Sequence, residues 1–183
     1  MRVITGRFRG RRLRSVDDLS VRPATDRVKK TLFDMLATRL DLEGAAVLDL
    51  FAGSGSLGFE ALSRGADHAV FVERDRRAAL TIEQNATALG CLASTAIHET
   101  DAMVFLHAAR GTFDLIFADP PYAFGPTADI PGLVFHGGML KPEGYLLIEH
   151  DADREFPASA AYRTGPVKKF GRTLVTFFRH PSP

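Results

Sequence analysis

Residues 45–65 read AAVLDLFAGSGSLGFEALSRG, and three patterns meet in them. The opening AAVLDLF is an apolar run of strand length, and SLGFEALSRG has helical spacing. Between them Gly53, Gly55 and Gly58 fall in a G-x-G-x-x-G spacing. Backbone without Cβ atoms can turn tightly there and approach a ligand closely. Strand, glycine turn and helix in that order begin a parallel α/β sheet.

The alternation continues outward. HAVFVE reads as a strand, RRAALTIEQNATALG as a helix closed by Gly90, STAIHET as a third strand and DAMVFLHAA as a short helix. FDLIFA is a strand, and a loop and helix then lead to the strand GYLLIEHD. Strands alternating with helices imply parallel pairing, right-handed crossovers and a doubly wound sheet. The tail AYRTGPVKKFGRTLVTFFRH has two extended segments and no helix between them, which predicts a closing antiparallel hairpin.

Upstream, MRVITGRFRGRRL reads as a β-hairpin punctuated by Gly6 and Gly10, and residues 15–23 read as a loop. Thr25 is placed to cap a helix over residues 26 to about 40. Val28, Leu32, Leu36 and Leu40 give that helix one apolar stripe, with Lys29, Lys30 and Arg39 off it. Glu60 and Arg64, four apart, read as a surface pair. The expected division is a basic extension over residues 1–24 and one α/β domain over 25–183.

Composition narrows the function classes. With 45% hydrophobic residues in 183, the chain can bury a proper core. The single cysteine, Cys91, cannot form an internal disulfide and reads as a small buried hydrophobe. No apolar run approaches the roughly 20 residues that span a bilayer, and the N-terminus lacks the apolar stretch of a signal peptide. A cytoplasmic protein with no membrane partner is expected. Net charge is +1, yet residues 1–30 hold ten Lys or Arg against three acids, +7, leaving −6 for the remainder. A basic arm on a mildly acidic body is the footprint of a phosphate-bearing partner. The six histidines are scattered without metal-ligand spacing, so no metal is expected.

Ligands of such sheets sit beyond the carboxyl ends of the strands. Glu73 ends the second strand twenty residues after Gly53, placed to accept from two ribose hydroxyls. NAD and S-adenosylmethionine (AdoMet) both satisfy that pattern. Asp49, just before the glycine turn, suits the ammonium of a methionine tail and fits poorly beside a pyrophosphate. Asp101 is placed to reach an adenine amino group, or else to cap the following helix, and Ala102 offers its N–H to the ring.

The fourth strand ends in Asp119-Pro120-Pro121-Tyr122. Two prolines fix the exit path and remove two N–H donors, leaving carbonyl acceptors. Asp119 adds an anionic acceptor, and Tyr122 and Phe124 add aromatic faces. An exocyclic amino group on a nucleobase matches this set. The Asp119 carboxylate and Pro120 carbonyl can hold its two hydrogens and aim the nitrogen lone pair at an electrophilic methyl. A base paired in a helix is unreachable, so the target must be splayed out and stacked on Tyr122.

With these residues in place, the chain resembles the RsmD-type family of bacterial AdoMet-dependent guanine-N2 methyltransferases acting on 16S ribosomal RNA. The resemblance covers MRVITGRFRGRRL, RPATDRVKKTLFDML, VLDLFAGSGSLGFEALSRGA, FVERD, FDLIFADPPY and KKFGRTLVTFF. It implies a seven-stranded, mostly parallel Rossmann-like sheet with an antiparallel C-terminal hairpin and an N-terminal β-hairpin extension. It implies cofactor positions at Asp49, Phe51, Ala52, Gly53, Gly55, Glu73, Arg74, Asp101 and Ala102, with S-adenosylhomocysteine as product. Asp119, Pro120, Pro121 and Tyr122 map onto the target-amino site. Arg7, Arg9, Arg11, Arg12, Arg14 and Arg22 map onto RNA-facing positions. The implied substrate is ribosomal RNA within an assembling small subunit, acted on by a monomer. Relatives often carry Arg-Pro-Thr where this chain has Arg22-Pro23-Ala24, and Arg-Glu where it has Lys29-Lys30.

The motifs alone leave alternatives. A DNA adenine-N6 methyltransferase shares the glycine loop and Asp-Pro-Pro-Tyr, and an NAD-dependent oxidoreductase shares only the loop. A non-enzymatic RNA-binding assembly factor could keep the fold, although no expected catalytic position is missing here.

Overall fold

The computed structural model describes residues 1–15, 26–108, 111–122 and 124–181. Arg22, expected to face RNA, and Thr25, expected to cap a helix, lie outside them.

The strands are β1 (Ala46–Leu50), β2 (His68–Glu73), β3 (Thr95–Glu99), β4 (Phe113–Ala118), β5 (Leu140–Asp151), β6 (Arg163–Phe170) and β7 (Thr173–Arg179). The helices are α1 (Asp26–Ala37), α2 (Ser56–Ser63), α3 (Arg76–Leu89), α4 (Ala102–Ala108) and α5 (Ile130–His136). All seven strands form one sheet in the order β3-β2-β1-β4-β5-β7-β6. The first five pair in parallel, while β7 runs antiparallel to β5 and β6 antiparallel to β7. The doubly wound sheet with its closing hairpin is therefore as expected. Strand order reverses between β1 and β4, which opens a crevice at their carboxyl ends.

Strand alternation divides the core. Val47, Phe71, Phe117, Leu147 and Phe177 pack on one face with Phe33, Phe59 and Ile82 from α1, α2 and α3. Leu48, Val72, Ile116, Ile148 and Phe178 pack on the other with Leu106 and Val134 from α4 and α5. Local chemistry sets the helix limits. The Asp75 carboxylate accepts from Ala78 N–H at the start of α3, and Gly90 closes it with φ 72. Helix α1 stops at Ala37, short of residue 40, where the Thr38 hydroxyl and Arg39 guanidinium turn back onto the Met35 carbonyl.

The N-terminal hairpin is a single antiparallel bridge, Arg2↔Arg12, rather than two full strands. It does not project freely. Val3 and Leu13 are buried in the α1–α3 side of the core. Arg7 N–H donates to Ser63 O at 2.8 Å and Phe8 N–H to Ser63 Oγ at 2.9 Å, clamping the turn onto the end of α2. A Cβ at Gly6 (φ 83) would lie 1.8 Å from the Ser63 carbonyl oxygen, so only glycine permits this approach.

Two surface assignments are corrected. Lys29 is fully buried, its Nζ donating to Arg2 O at 2.6 Å and Ser56 Oγ at 2.9 Å. Glu60 is also fully buried, accepting from Ile4 N–H, Thr5 N–H and the Arg64 guanidinium. The arm covers a face of α1 and α2 that would otherwise be solvated. Helical periodicity cannot register a cover supplied from elsewhere in the chain.

Candidate active site

A cavity of about 490 Å³ lies at the carboxyl ends of the parallel strands. Asp49, Phe51, Ala52, Gly53, Glu73, Arg74, Asp101 and Ala102 line it, together with Asp119, Pro120, Pro121 and Tyr122. All of these are legible in the sequence. Gly55 lies just behind, with φ 78, as the residue from which α2 departs.

Each acidic side chain around the glycine loop has a specific placement. Asp49 projects from β1 toward α2 and is 2% exposed, and its Oδ2 accepts from Gly58 N–H at 2.9 Å. Burial pushes its carboxyl up to about 7, the Gly58 N–H opposes this, and the charge of Glu73 adds to it. Gly58 permits this packing, because a Cβ there would sit 2.3 Å from the Phe71 ring. The Glu73 carboxylate accepts from Gly53 N–H at 2.9 Å and Asp75 N–H at 2.8 Å, which holds the glycine loop to the end of β2. One oxygen of Asp101 accepts from Met103 and Val104 N–H, as a helix cap does, and its other oxygen takes no partner among the described residues.

Phe51 has φ 58, a left-handed conformation that a bulky side chain rarely adopts. Its ring meets Phe124 edge-on at 5.2 Å. That contact joins the glycine loop to the segment following Asp119-Pro120-Pro121-Tyr122. Such strain persists where surrounding structure enforces it, and it concentrates at functional sites.

At the end of β4, Asp119 is half-buried and Tyr122 is 57% exposed at the mouth. Burial raises the Asp119 carboxyl well above the usual range, and the charges of Glu149 and Asp49 raise it further. Arg154 Nη2 donates to Phe124 O at 3.2 Å and Nη1 to Gly125 O at 3.4 Å, pinning the loop beyond the motif. Glu149, Arg154 and Thr173 also line the cavity, and no sequence motif marks them. Glu149 carries one signal, as a carboxylate directly after the apolar run Tyr145–Ile148.

Arg7, Arg9, Arg11, Arg12 and Arg14 are exposed on the arm. Arg7 lies over the Phe8 ring, Arg11 donates to Ala88 O and Arg14 to Gln84 Oε1. Arg9 and Arg12 have no side-chain partner among the described residues.

Asp49 also decides between ligands. A dinucleotide loop presents the first amides of its helix to a pyrophosphate. Here the Gly58 amide is taken by a buried carboxylate, which would repel phosphate and attract an ammonium. The fold and site thus define a methyltransferase of the Rossmann-like class. The chain belongs to the family described as Conserved hypothetical protein 95, whose model matches residues 1–179. It is 43% identical to "Putative rRNA methyltransferase YlbH" of Bacillus subtilis (strain 168), covering 98% of each chain. It is 37% identical over 162 residues to "Ribosomal RNA small subunit methyltransferase D" of Escherichia coli (strain K12), covering 88% of this chain and 80% of that one. Among solved structures it superposes on "Putative methyltransferase yhhF from Escherichia coli" with TM-score 0.87 and 32% identity, covering 100% of this chain and 99% of that one. These relatives bear out the RsmD-type resemblance.

Proposed function

We propose that this protein transfers a methyl group from AdoMet to the exocyclic N2 of a guanine in small-subunit ribosomal RNA, within an assembling subunit. The observation that carries this reading is the pairing of Asp119 and the Pro120 carbonyl with Asp49, Glu73 and Asp101 in one cavity. Names of the relatives support the RNA substrate.

The residues fit AdoMet. Asp49 has one oxygen engaged by Gly58 and the other without a protein donor among the described residues, which suits the ammonium of the methionine tail. Glu73 retains lone pairs for ribose hydroxyls, and the second oxygen of Asp101 is available to the adenine amino group. Phe51, Ala52, Gly53, Gly55, Arg74 and Ala102 complete the cofactor half. AdoMet supplies an electrophilic methyl on a sulfonium, and displacement at that carbon needs no Lewis acid.

Asp119 and the Pro120 carbonyl hold the two N2 hydrogens and favour pyramidal nitrogen, directing its lone pair into the cavity. Tyr122 stacks on the splayed base. As N2 is alkylated its proton becomes acidic and passes to Asp119 or to water, leaving N2-methylguanine and S-adenosylhomocysteine. Residues 1–24, with Arg7, Arg9, Arg11, Arg12, Arg14 and Arg22, face the RNA, and residues 25–183 carry the chemistry. The protein acts as a cytoplasmic monomer.

Labelled AdoMet offered with ribosomal RNA, small subunits and duplex DNA in parallel tests this reading. Label in RNA guanine is expected. Label confined to DNA overturns it.

A further inference from the structure

Glu149 belongs to the same constellation as Asp119. Strand β4 pairs with β5 in parallel, Phe117 opposite Leu147 and Ala118 opposite Ile148. Asp119 and Glu149 each come directly after that last pair, and both line the cavity. Neighbouring strands lie about 4.8 Å apart, so two carboxyl groups stand side by side at the crevice floor. Phe117 and Leu147 both face the α1–α3 layer, and alternation places Asp119 and Glu149 on that face too.

Among the described residues no cation accounts for this acid. Glu149 forms no ion pair among the described residues, and its one side-chain hydrogen bond comes from Thr173 Oγ1 at 2.9 Å. The same hydroxyl lies 3.1 Å from Phe170 O, so it has two acceptors for one proton. Burial raises the carboxyl, opposed by the Thr173 hydroxyl. A half-buried carboxylate crowded against a second one destabilises the free protein unless a ligand supplies donors.

We propose that Glu149 reads the Watson–Crick edge of the target guanine, accepting N1–H while Asp119 and the Pro120 carbonyl hold the N2 hydrogens. This rests on the guanine-N2 reading and names the residue that enforces it. Guanine presents N1–H directly beside N2–H, a row of donors matching a row of acceptors. Adenine presents a bare N1 lone pair beside its amino group, and that lone pair would face a carboxylate. Charge repulsion then rejects adenine although its amino group could fit the same two acceptors.

The discriminating substrate carries 2-aminopurine at the methylated guanine, mapped first and introduced by splinted ligation of the RNA. It keeps the reacting amino group and lacks N1–H. Wild-type protein is expected to prefer guanine by on the order of 100-fold in kcat/KM, because a site built for a donor strongly rejects an analogue without it. Glu149→Gln can turn an amide N–H toward the bare N1, so the preference should fall below about tenfold as 2-aminopurine turnover rises. Glu149→Ala should bring the ratio toward one, with S-adenosylhomocysteine affinity unchanged in both variants. Equal loss on both substrates, with the ratio kept, overturns the proposal and leaves Glu149 a structural residue. Wild-type methylation of adenine instead of guanine overturns the guanine-N2 reading itself, a distinct result.

Discussion

Lys29 and Glu60 are both fully buried, with Nζ 3.8 Å from Oε2, at the junction of the N-terminal arm, α1 and α2. Lys29 also holds Ser56, the first residue after the glycine loop, and Glu60 also holds the arm through Ile4 and Thr5. The basic arm and the glycine loop therefore share one polar junction. Burial lowers the Lys29 ammonium, opposed chiefly by Glu60.

Glu60→Gln should leave the buried Lys29 and the half-buried Arg64 without their anion. Removing one partner of a buried pair destabilises by about 3–5 kcal/mol, and an effect near that size is expected in denaturant unfolding. A loss below about 1 kcal/mol would show that Lys29 and Glu60 are not coupled in solution.

Asp49→Asn should separate stability from cofactor binding. The folded carboxyl is raised to about 7 from an ordinary 3.8, so the protonated form is favoured in the fold. Its contribution is present below the unfolded value and lost as pH rises through about 7. The apo variant should thus be more stable than wild type at pH 8, by on the order of 2–4 kcal/mol, and similar to it near pH 4. Thermal unfolding across that window checks the sign. Calorimetry with S-adenosylhomocysteine should show at least about tenfold weaker binding at pH 8, because a charge-assisted hydrogen bond to the ammonium is removed.

Asp119→Ala should retain RNA and S-adenosylhomocysteine affinity while turnover falls by roughly 100- to 1,000-fold, the range for losing one preorganised polar group. Single-turnover transfer under saturating AdoMet measures it. Unchanged turnover removes Asp119 from the reaction.

Gly6→Ala tests how the arm is held. Its Cβ would meet the Ser63 carbonyl at 1.8 Å, so the turn must lift and expose Val3 and Leu13. Faster proteolytic cleavage within residues 1–15 is expected. Replacing Arg9, Arg11 and Arg12 together should weaken RNA binding without that change. The slope of log affinity against log salt should flatten by up to about one unit for each phosphate no longer neutralised. An unchanged slope would remove these arginines from the interface.

The sequence by itself determined the sheet, the crevice and most residues around it. Apolar runs of strand length alternating with helical spacing carry their own period, and glycine and proline restrict the backbone locally. Asp49, Glu73, Asp101 and Asp119 all follow from being acids at, or just past, the carboxyl ends of strands read from the sequence. Only the tertiary structure decided what lies across the sheet. Glu149 comes beside Asp119 because β4 and β5 pair up to Ala118 opposite Ile148, residues 30 positions apart. Arg154 finds Phe124 over the same distance in sequence. Lys29 and Glu60 look like surface charges in the sequence because hydrophobic periodicity describes one helix at a time. Their burial depends on the arm folding over α2, where the missing Cβ of Gly6 and the carbonyl of Ser63 meet.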